Sequence, residues 1–498
     1  MEEFSARTRA ANLEAMAREP VDVLVIGGGI VGAWTALTAA MRGHRTALVE
    51  KGDFASGTSG KTSQLIHGGL RYLQQFRIGV VRRAARERDV LLRMAPTLVK
   101  PLTFLIPVYR GRGPRRWQLR IGLWLYDAVS MGKVLPRRKW LSREEALARE
   151  PTLSGDGLIA AAVYADAVTR DSRLVLAVVR KAAKQGALVA NYARVTSILR
   201  EEGKVAGAKV LDEELGVVRT VRARAVVNAT GVWANELQGG GQRLPIRPTK
   251  GIHILVPHDR IGNHGAVTLP TMDRRVTFVI PRGEVDLVGT TDTEYRGRKD
   301  EVEASLADVE YLLRALKGGF PQAHIAPADV VAAYAGLRPL IDTGENRESD
   351  ISREHRILVD RDGLVSVAGG KLTTGRAIAS EIMARLERGW LGKKANGRSG
   401  TPRFQLEDSG PPLDASNVSA IVARAVREEM AVHVDDVLVR RTSLFYESPD
   451  QGEDLAPVVI TGMSAELGWG AERRAAEMER YRGVLERNRR WRSVAADG

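Results

Sequence analysis

The chain contains no cysteine. That absence excludes a disulfide scaffold, a thiol nucleophile, thiolate metal ligands, iron–sulfur clusters and a flavin attached through sulfur. No H-E-x-x-H, EF-hand or clustered His/Asp/Glu spacing appears, so no metal site is expected. Internal repeats and long low-complexity tracts are absent as well. Residues 1–20 mix charges and lack an apolar h-region, which argues against a secretory signal and for the cytoplasm. One uncharged run, 23–41, has the length of a membrane span. Three adjacent glycines inside it weaken a helix, and a buried strand followed by a packed helix fits it better.

Lysine is scarce: 15 residues against 60 arginines. Basic residues outnumber acidic ones 75 to 60, a net charge of +15. An anionic partner or an arginine-biased composition explains this balance; nucleic acid, a membrane surface and an acidic substrate are the candidate partners. With 498 residues, 44% of them hydrophobic, the chain is not wholly disordered. Its length predicts two to four domains of ~100–200 residues each.

Residues 21–26 (VDVLVI) predict a buried parallel strand. A G-x-G-x-x-G follows, formed by Gly27, Gly29 and Gly32, then a helix over 30–42 and a strand over 45–49 ending at Glu50. This is a βαβ dinucleotide unit. Gly27 permits the tight turn, Gly29 a close approach to pyrophosphate, and Gly32 close helix–strand packing. The helix N-terminus offers amides to the phosphates, and Glu50 accepts from the adenosine ribose. The motif alone does not separate FAD from NAD. The Gly/Ser/Thr-rich stretch 53–73 after the second strand suits a more extended cofactor than a simple NAD fold would carry.

Seven segments occur in order: GGGIVGAW, TSGKTSQLIHGGLRYL, NATGVWA, TKGIHILVP, VGTTDTEY, YAGLRPL and AGGKLTT. Together they resemble the FAD-dependent glycerol-3-phosphate dehydrogenases, the aerobic respiratory enzymes of bacteria, from about residue 20 to about residue 475. The resemblance implies an α/β fold: a Rossmann-like FAD-binding domain, a β-rich inserted substrate domain and a C-terminal helical domain. The oxidoreductase region is expected over 20–400. Its FAD-binding pieces are expected at about 20–75, 155–240 and 340–390, and its substrate or cap segments at about 80–150 and 245–335. A linker is expected at 391–412 and the helical domain over 410–498.

The family's reaction moves hydride from C2 of sn-glycerol 3-phosphate to the flavin, giving dihydroxyacetone phosphate. For the base the first choice is His67, with His253 its competitor; a neutral imidazole suits proton removal near pH 7. By family motif Arg71 and Arg338 cradle the phosphate, and Tyr72 donates a hydroxyl to the substrate or packs. Guanidinium forks bind phosphate bidentately. In AGGKLTT, Gly369 and Gly370 allow close approach, a helix beginning near Leu372 points its amide end at the cofactor, and Lys371 serves either the flavin's negative charge or the phosphate. Ala368 and Gly375 depart from the family pattern, which usually has aromatics there. Thr58, Ser59, Ser63, Leu65, Val195, Ala229, Thr230, Gly231, Gly370, Lys371, Leu372 and Thr373 complete the expected FAD contacts.

Residues 110–139 hold nine basic side chains and one acid, Asp127. Trp117, Ile121, Trp124 and Leu125 fall on one helical face. A basic helix with tryptophan on its apolar face suits an anionic lipid interface; the alternative is an internal helix with a charged rim. No nucleic-acid module accompanies the charge. The expected electron acceptor is membrane quinone, the expected location is cytoplasmic and peripheral on the inner face of the plasma membrane, and a homodimer is left open. The alternatives are an oxidase passing electrons to oxygen, an amino-acid-oxidase-like enzyme, and a non-catalytic basic membrane- or nucleic-acid-binding protein on the same fold.

Overall fold

The structure is a computed structural model that describes residues 4–70, 72, 77–111, 116–129, 134–238, 242–271, 273, 275–342, 354–392, 404–407 and 417–496. Among these residues two sheets organise the chain. In the first, the short apolar strand Val21–Ile26 lies between the parallel strands Thr46–Val49 and Val217–Asn228. Leu188–Ala190 extends one side, and Val365–Gly369 with His355–Val359 the other. Four residues of Val21–Ile26 in a row are buried, as expected for a strand covered on both faces. The helix Ile30–Met41 packs on this sheet beside Asp171–Lys184 and Gly375–Leu386. Close packing there needs glycine: a Cβ on Gly375 would lie 2.9 Å from Ile30 Cγ1.

The second sheet is largely antiparallel. Its long strands are Val99–Tyr109, Leu158–Thr169, Ile246–Pro257 and Ala332–Ile341. Leu65–Ile66 joins its edge by pairing with Val168 and Ala167. Two segments expected among the FAD-binding pieces, 65–66 and 158–169, pair in this sheet. Leu158–Thr169 meets an antiparallel partner over nearly its whole length in Val99–Tyr109.

The C-terminal region is helical, with Val418–Glu429, Ala456–Leu467 and Ala471–Ala496 as its longer helices. An ionic network joins it to the first sheet. Asp53 accepts from Arg440 Nε at 2.5 Å, from Arg441 and from Asn191 Nδ2. Burial alone would raise the Asp53 carboxyl, but Arg441 and Arg440 pull it down to about 2. Most of the expected linker 391–412 lies outside the described residues. Its part 404–407 is not a free tether, because Leu406 is buried and its amide bonds Met94 O at 2.7 Å.

Candidate active site

The nucleotide cradle forms where the first strand ends. Gly27 has φ +108°, and a Cβ there would lie 2.7 Å from Ala229 O. A Cβ on Gly32 would lie 1.8 Å from Gly27 O, so the helix can approach the turn only with glycine at both places. The Ile30 amide, at the N-terminus of the helix, donates to Ser59 Oγ at 3.0 Å. Glu50 accepts from Gly28 N at 2.6 Å and Gly52 N at 2.9 Å; burial raises its pKa and these two amides oppose the rise. Ala193 N donates to Glu50 O, so the strand bearing Val195 starts beside the acid. Val195 itself is half-buried.

The NATG segment closes the opposite wall. Ala229 N bonds Ile26 O, Thr230 bonds Asn228 Oδ1, and Gly231 takes φ +63°. Thr58 Oγ1 donates to Leu337 O at 2.6 Å, which ties the 58–67 loop to the strand that carries Arg338. Gly369 and Gly370 both have positive φ, and Gly369 lies against Ile341 of that strand. The expected helix at Leu372 is a single tight turn, Leu372–Thr374, and the α-helix begins at Gly375. Thr374 Oγ1 causes the offset by accepting from Lys371 N at 3.2 Å. The buried polar atoms without a hydrogen-bond partner among the described residues include Trp233 Nε1, Thr373 Oγ1 and His253 Nδ1. A buried donor or acceptor left unpaired is costly. Orphaned atoms beside glycine-lined walls fit a long polar cofactor such as FAD.

His67 is half-buried and directly follows the edge strand Leu65–Ile66. Gly69 turns the chain with φ +82°. Lys371 Nζ sits 3.8 Å from the centre of the Tyr72 ring and 3.2 Å from the place a Gly69 Cβ would take. The structure thus brings Lys371 onto Tyr72 and onto Gly69, two residues past His67. Arg71 lies outside the described residues.

Arg338 and His253 form a second group. The Arg338 guanidinium covers Gly251, where a Cβ would come within 2.1 Å of it. It donates to Thr290 Oγ1 at 2.8 Å and to Thr291 O and Asp292 Oδ1 at 3.1 Å. His253 Nε2 shares a 2.8 Å hydrogen bond with Ser63 Oγ, and its ring stacks on Tyr334. Burial and the Arg338 charge lower His253 to about 3, so the imidazole is neutral. Sequence reasoning missed Tyr334, Thr290 and Asp292, although all three lie inside YAGLRPL and VGTTDTEY. Among the other histidines, His44 meets Glu387, His258 meets Asp286, His264 meets Arg149 O, His355 meets Glu381, and His433 bridges Glu214 and Glu477.

A parallel sheet with a glycine cradle at its carboxyl edge, opposed by a second sheet carrying candidate substrate groups, defines a dinucleotide-dependent oxidoreductase. Residues 22–386 match the family described as FAD dependent oxidoreductase, and residues 412–474 match the C-terminal domain of alpha-glycerophosphate oxidase. The chain belongs to the FAD-dependent oxidoreductase family, and FAD is its cofactor. It is 37% identical to a glycerol-3-phosphate dehydrogenase of Mycobacterium leprae, covering 96% of this chain and 90% of that protein. It is 36% identical to an aerobic glycerol-3-phosphate dehydrogenase of Staphylococcus aureus, covering 86% and 78%. Among solved structures it resembles the Bacillus halodurans glycerol-3-phosphate dehydrogenase complexed with FAD. That match has a TM-score of 0.77 and 27% identity, and covers 97% of this chain and 98% of that one.

Proposed function

We propose that this protein oxidises sn-glycerol 3-phosphate to dihydroxyacetone phosphate and delivers the electrons to a quinone dissolved in the membrane. The observation that carries the reading is the contact of Lys371 with Tyr72 and with Gly69, two residues past His67. The full-length likeness to glycerol-3-phosphate dehydrogenases supports it. On this reading residues 20–400 form the oxidoreductase region and 410–498 the helical domain.

When bound, FAD supplies the two-electron acceptor for the hydride leaving C2. Gly27, Gly29 and Gly32 would let the turn approach its pyrophosphate, Glu50 would hold its ribose, and the 58–65, 229–231 and 370–373 stretches would line its remaining length. His67 takes the proton of the C2 hydroxyl. Arg71, Arg338, Lys371 and Tyr72 hold the phosphate. Asp292 orients the Arg338 guanidinium, and the surplus of cations in the set Arg71, Arg338 and Lys371 suits a dianionic phosphate better than a neutral polyol. Arg338→Ala is therefore expected to cost about 1.5–3 kcal/mol of binding to a charged ligand, read as a raised KM for glycerol 3-phosphate. Plain glycerol should be affected far less. Equal losses for both substrates would remove Arg338 from the phosphate site.

The acceptor is argued from the surface. On the helix Arg116–Val129, Trp117, Ile121 and Trp124 are 57%, 56% and 59% exposed. Arg116, Arg120, Arg137 and Lys139 are exposed nearby. Leu125, expected on the same face, is half-buried and packs inward, because its position falls ~80° from Trp117 around the helix. Among the described residues no helix is long and apolar enough to cross a membrane. A tryptophan face with a basic rim suits shallow seating in an anionic leaflet, each basic residue adding ~1 kcal/mol. We place the protein on the cytoplasmic face of the plasma membrane.

Arg116→Glu with Arg120→Glu is expected to release the protein from phosphatidylglycerol-containing vesicles. Dye-linked activity without lipid should persist, and quinone-linked activity should fall. If wild-type protein ignores such vesicles at low salt, oxygen becomes the better acceptor. The whole reading is tested by anaerobic bleaching of the bound flavin with glycerol 3-phosphate, followed by reoxidation with quinone or with oxygen.

A further inference from the structure

The helix that exposes Trp117, Ile121 and Trp124 buries Leu119, Leu123 and Tyr126 on its other side. The two sets are offset by two residues, ~200° around the axis, so they form opposite faces. Tyr126 is where the inward face ends in a polar group. Its hydroxyl donates to Asp166 Oδ1 at 2.7 Å and accepts from Arg88 Nη1 at 3.0 Å. It also accepts from the backbone amide of Gly68 at 3.0 Å. The same amide lies 3.0 Å from Asp166 Oδ1, which takes a 2.6 Å bond from Arg88. Tyr126 and Asp166 are both buried, and Arg88 is 1% exposed.

Gly68 is the residue after His67. A Cβ at Gly68 would lie 2.3 Å from the Tyr126 oxygen, so the contact requires glycine there. One hydroxyl therefore connects the outward tryptophan helix to the main chain beside the candidate base. The network is stiff for a physical reason: buried, mutually hydrogen-bonded polar groups have few alternative arrangements. Burial and the Asp166 charge hold the Tyr126 phenol well above its usual pKa, so it remains a neutral donor.

We propose that Tyr126 is a positioning residue: through Gly68 it sets the place of His67, and lipid seating of the Trp117–Trp124 face tightens that placement. The inference rests on the assignment of His67 to proton removal and of this face to lipid. Its logic is linkage: a surface that binds one position of the helix favours everything bonded to that position. Small displacements of a reacting group are costly in rate, which makes a single hydrogen bond to the neighbouring amide matter.

The test uses the full-length FAD-loaded protein and Tyr126→Phe, which keeps the ring and its 6.1 Å edge contact with Tyr164. Anaerobic flavin reduction by saturating glycerol 3-phosphate is followed with and without vesicles of mixed phosphatidylglycerol and phosphatidylethanolamine. Wild type is expected to speed up by about fivefold or more on the vesicles. Tyr126→Phe should bind the vesicles equally and hold its flavin. It should reduce flavin about tenfold more slowly with little change in substrate KM, and gain nothing from lipid. Hydrogen exchange at the Gly68 amide of wild type should slow on vesicles, a readout that survives even if the variant fails to fold. Equal rates and equal lipid response in the variant, or unchanged Gly68 exchange, would overturn the coupling and leave the function intact. A wild-type flavin that glycerol 3-phosphate does not bleach would overturn the function itself, and the coupling with it.

Discussion

His67→Gln should retain FAD and lose about 10²–10⁴-fold in the rate of flavin reduction by glycerol 3-phosphate, the usual contribution of a placed general base. Glutamine keeps a polar side chain of similar reach but cannot take a proton. Rapid-mixing absorbance measurements should show the loss at saturating substrate, so that it appears in the reduction step and not in KM. The lower limb of the pH profile should vanish with it. His253 is a different case. It is fully enclosed, stacked on Tyr334 and held at about 3, so its ring already lacks a proton over the working pH range. It shares its Nε2 with Ser63. Undiminished reduction in His67→Gln would move the base to His253 or to water.

Gly32→Ala should have the largest effect on the protein as a whole. The added methyl would sit 1.8 Å from a backbone oxygen, which cannot rotate away as a side chain can. The helix Ile30–Met41 must then lift from the turn at Gly27. Overpacking of this kind costs about 3 kcal/mol or more, and the purified protein should be colourless or fail to accumulate. Gly79→Ala is the matched control. It lies in the helix Ile78–Met94, and nothing stands within 4 Å of the new carbon. Thermal melting should place that variant at or slightly above wild type, since alanine favours a helix by about 0.5–1 kcal/mol over glycine. Yellow, fully loaded Gly32→Ala protein would remove the helix–turn contact from the account of cofactor binding.

How much of this is legible in the sequence depends on distance along the chain. The cradle is local: Gly27, Gly29, Gly32 and Glu50 sit in one βαβ unit, and spacing alone implies their roles. The buried and exposed faces of Arg116–Val129 follow from helical period, except for Leu125 at the margin of the stripe. Non-local partners are not legible. Nothing near Arg338 announces Asp292, nothing near His253 announces Tyr334, and nothing near His67 announces Tyr126. Each of those pairs is made by register between strands or by a helix crossing a loop, which residue periodicity does not encode. The pairing of 158–169 with the second sheet is of the same kind. Its apolar pattern suits either sheet, and the choice is made by the distant strand Val99–Tyr109 with which it pairs.

The bond between Asp53 and the arginine pair 440–441 bears on the order in which the protein is made. Asp53 leaves the ribosome early, and Arg441 follows 388 residues later. At ordinary rates of synthesis that gap lasts about 20–80 s. A carboxylate cannot be enclosed without its counter-charge except at heavy cost, so the loop beyond Glu50 stays open to water in the nascent chain. The loop carrying Asp53 is therefore closed late, when Arg440 and Arg441 arrive with its counter-charge.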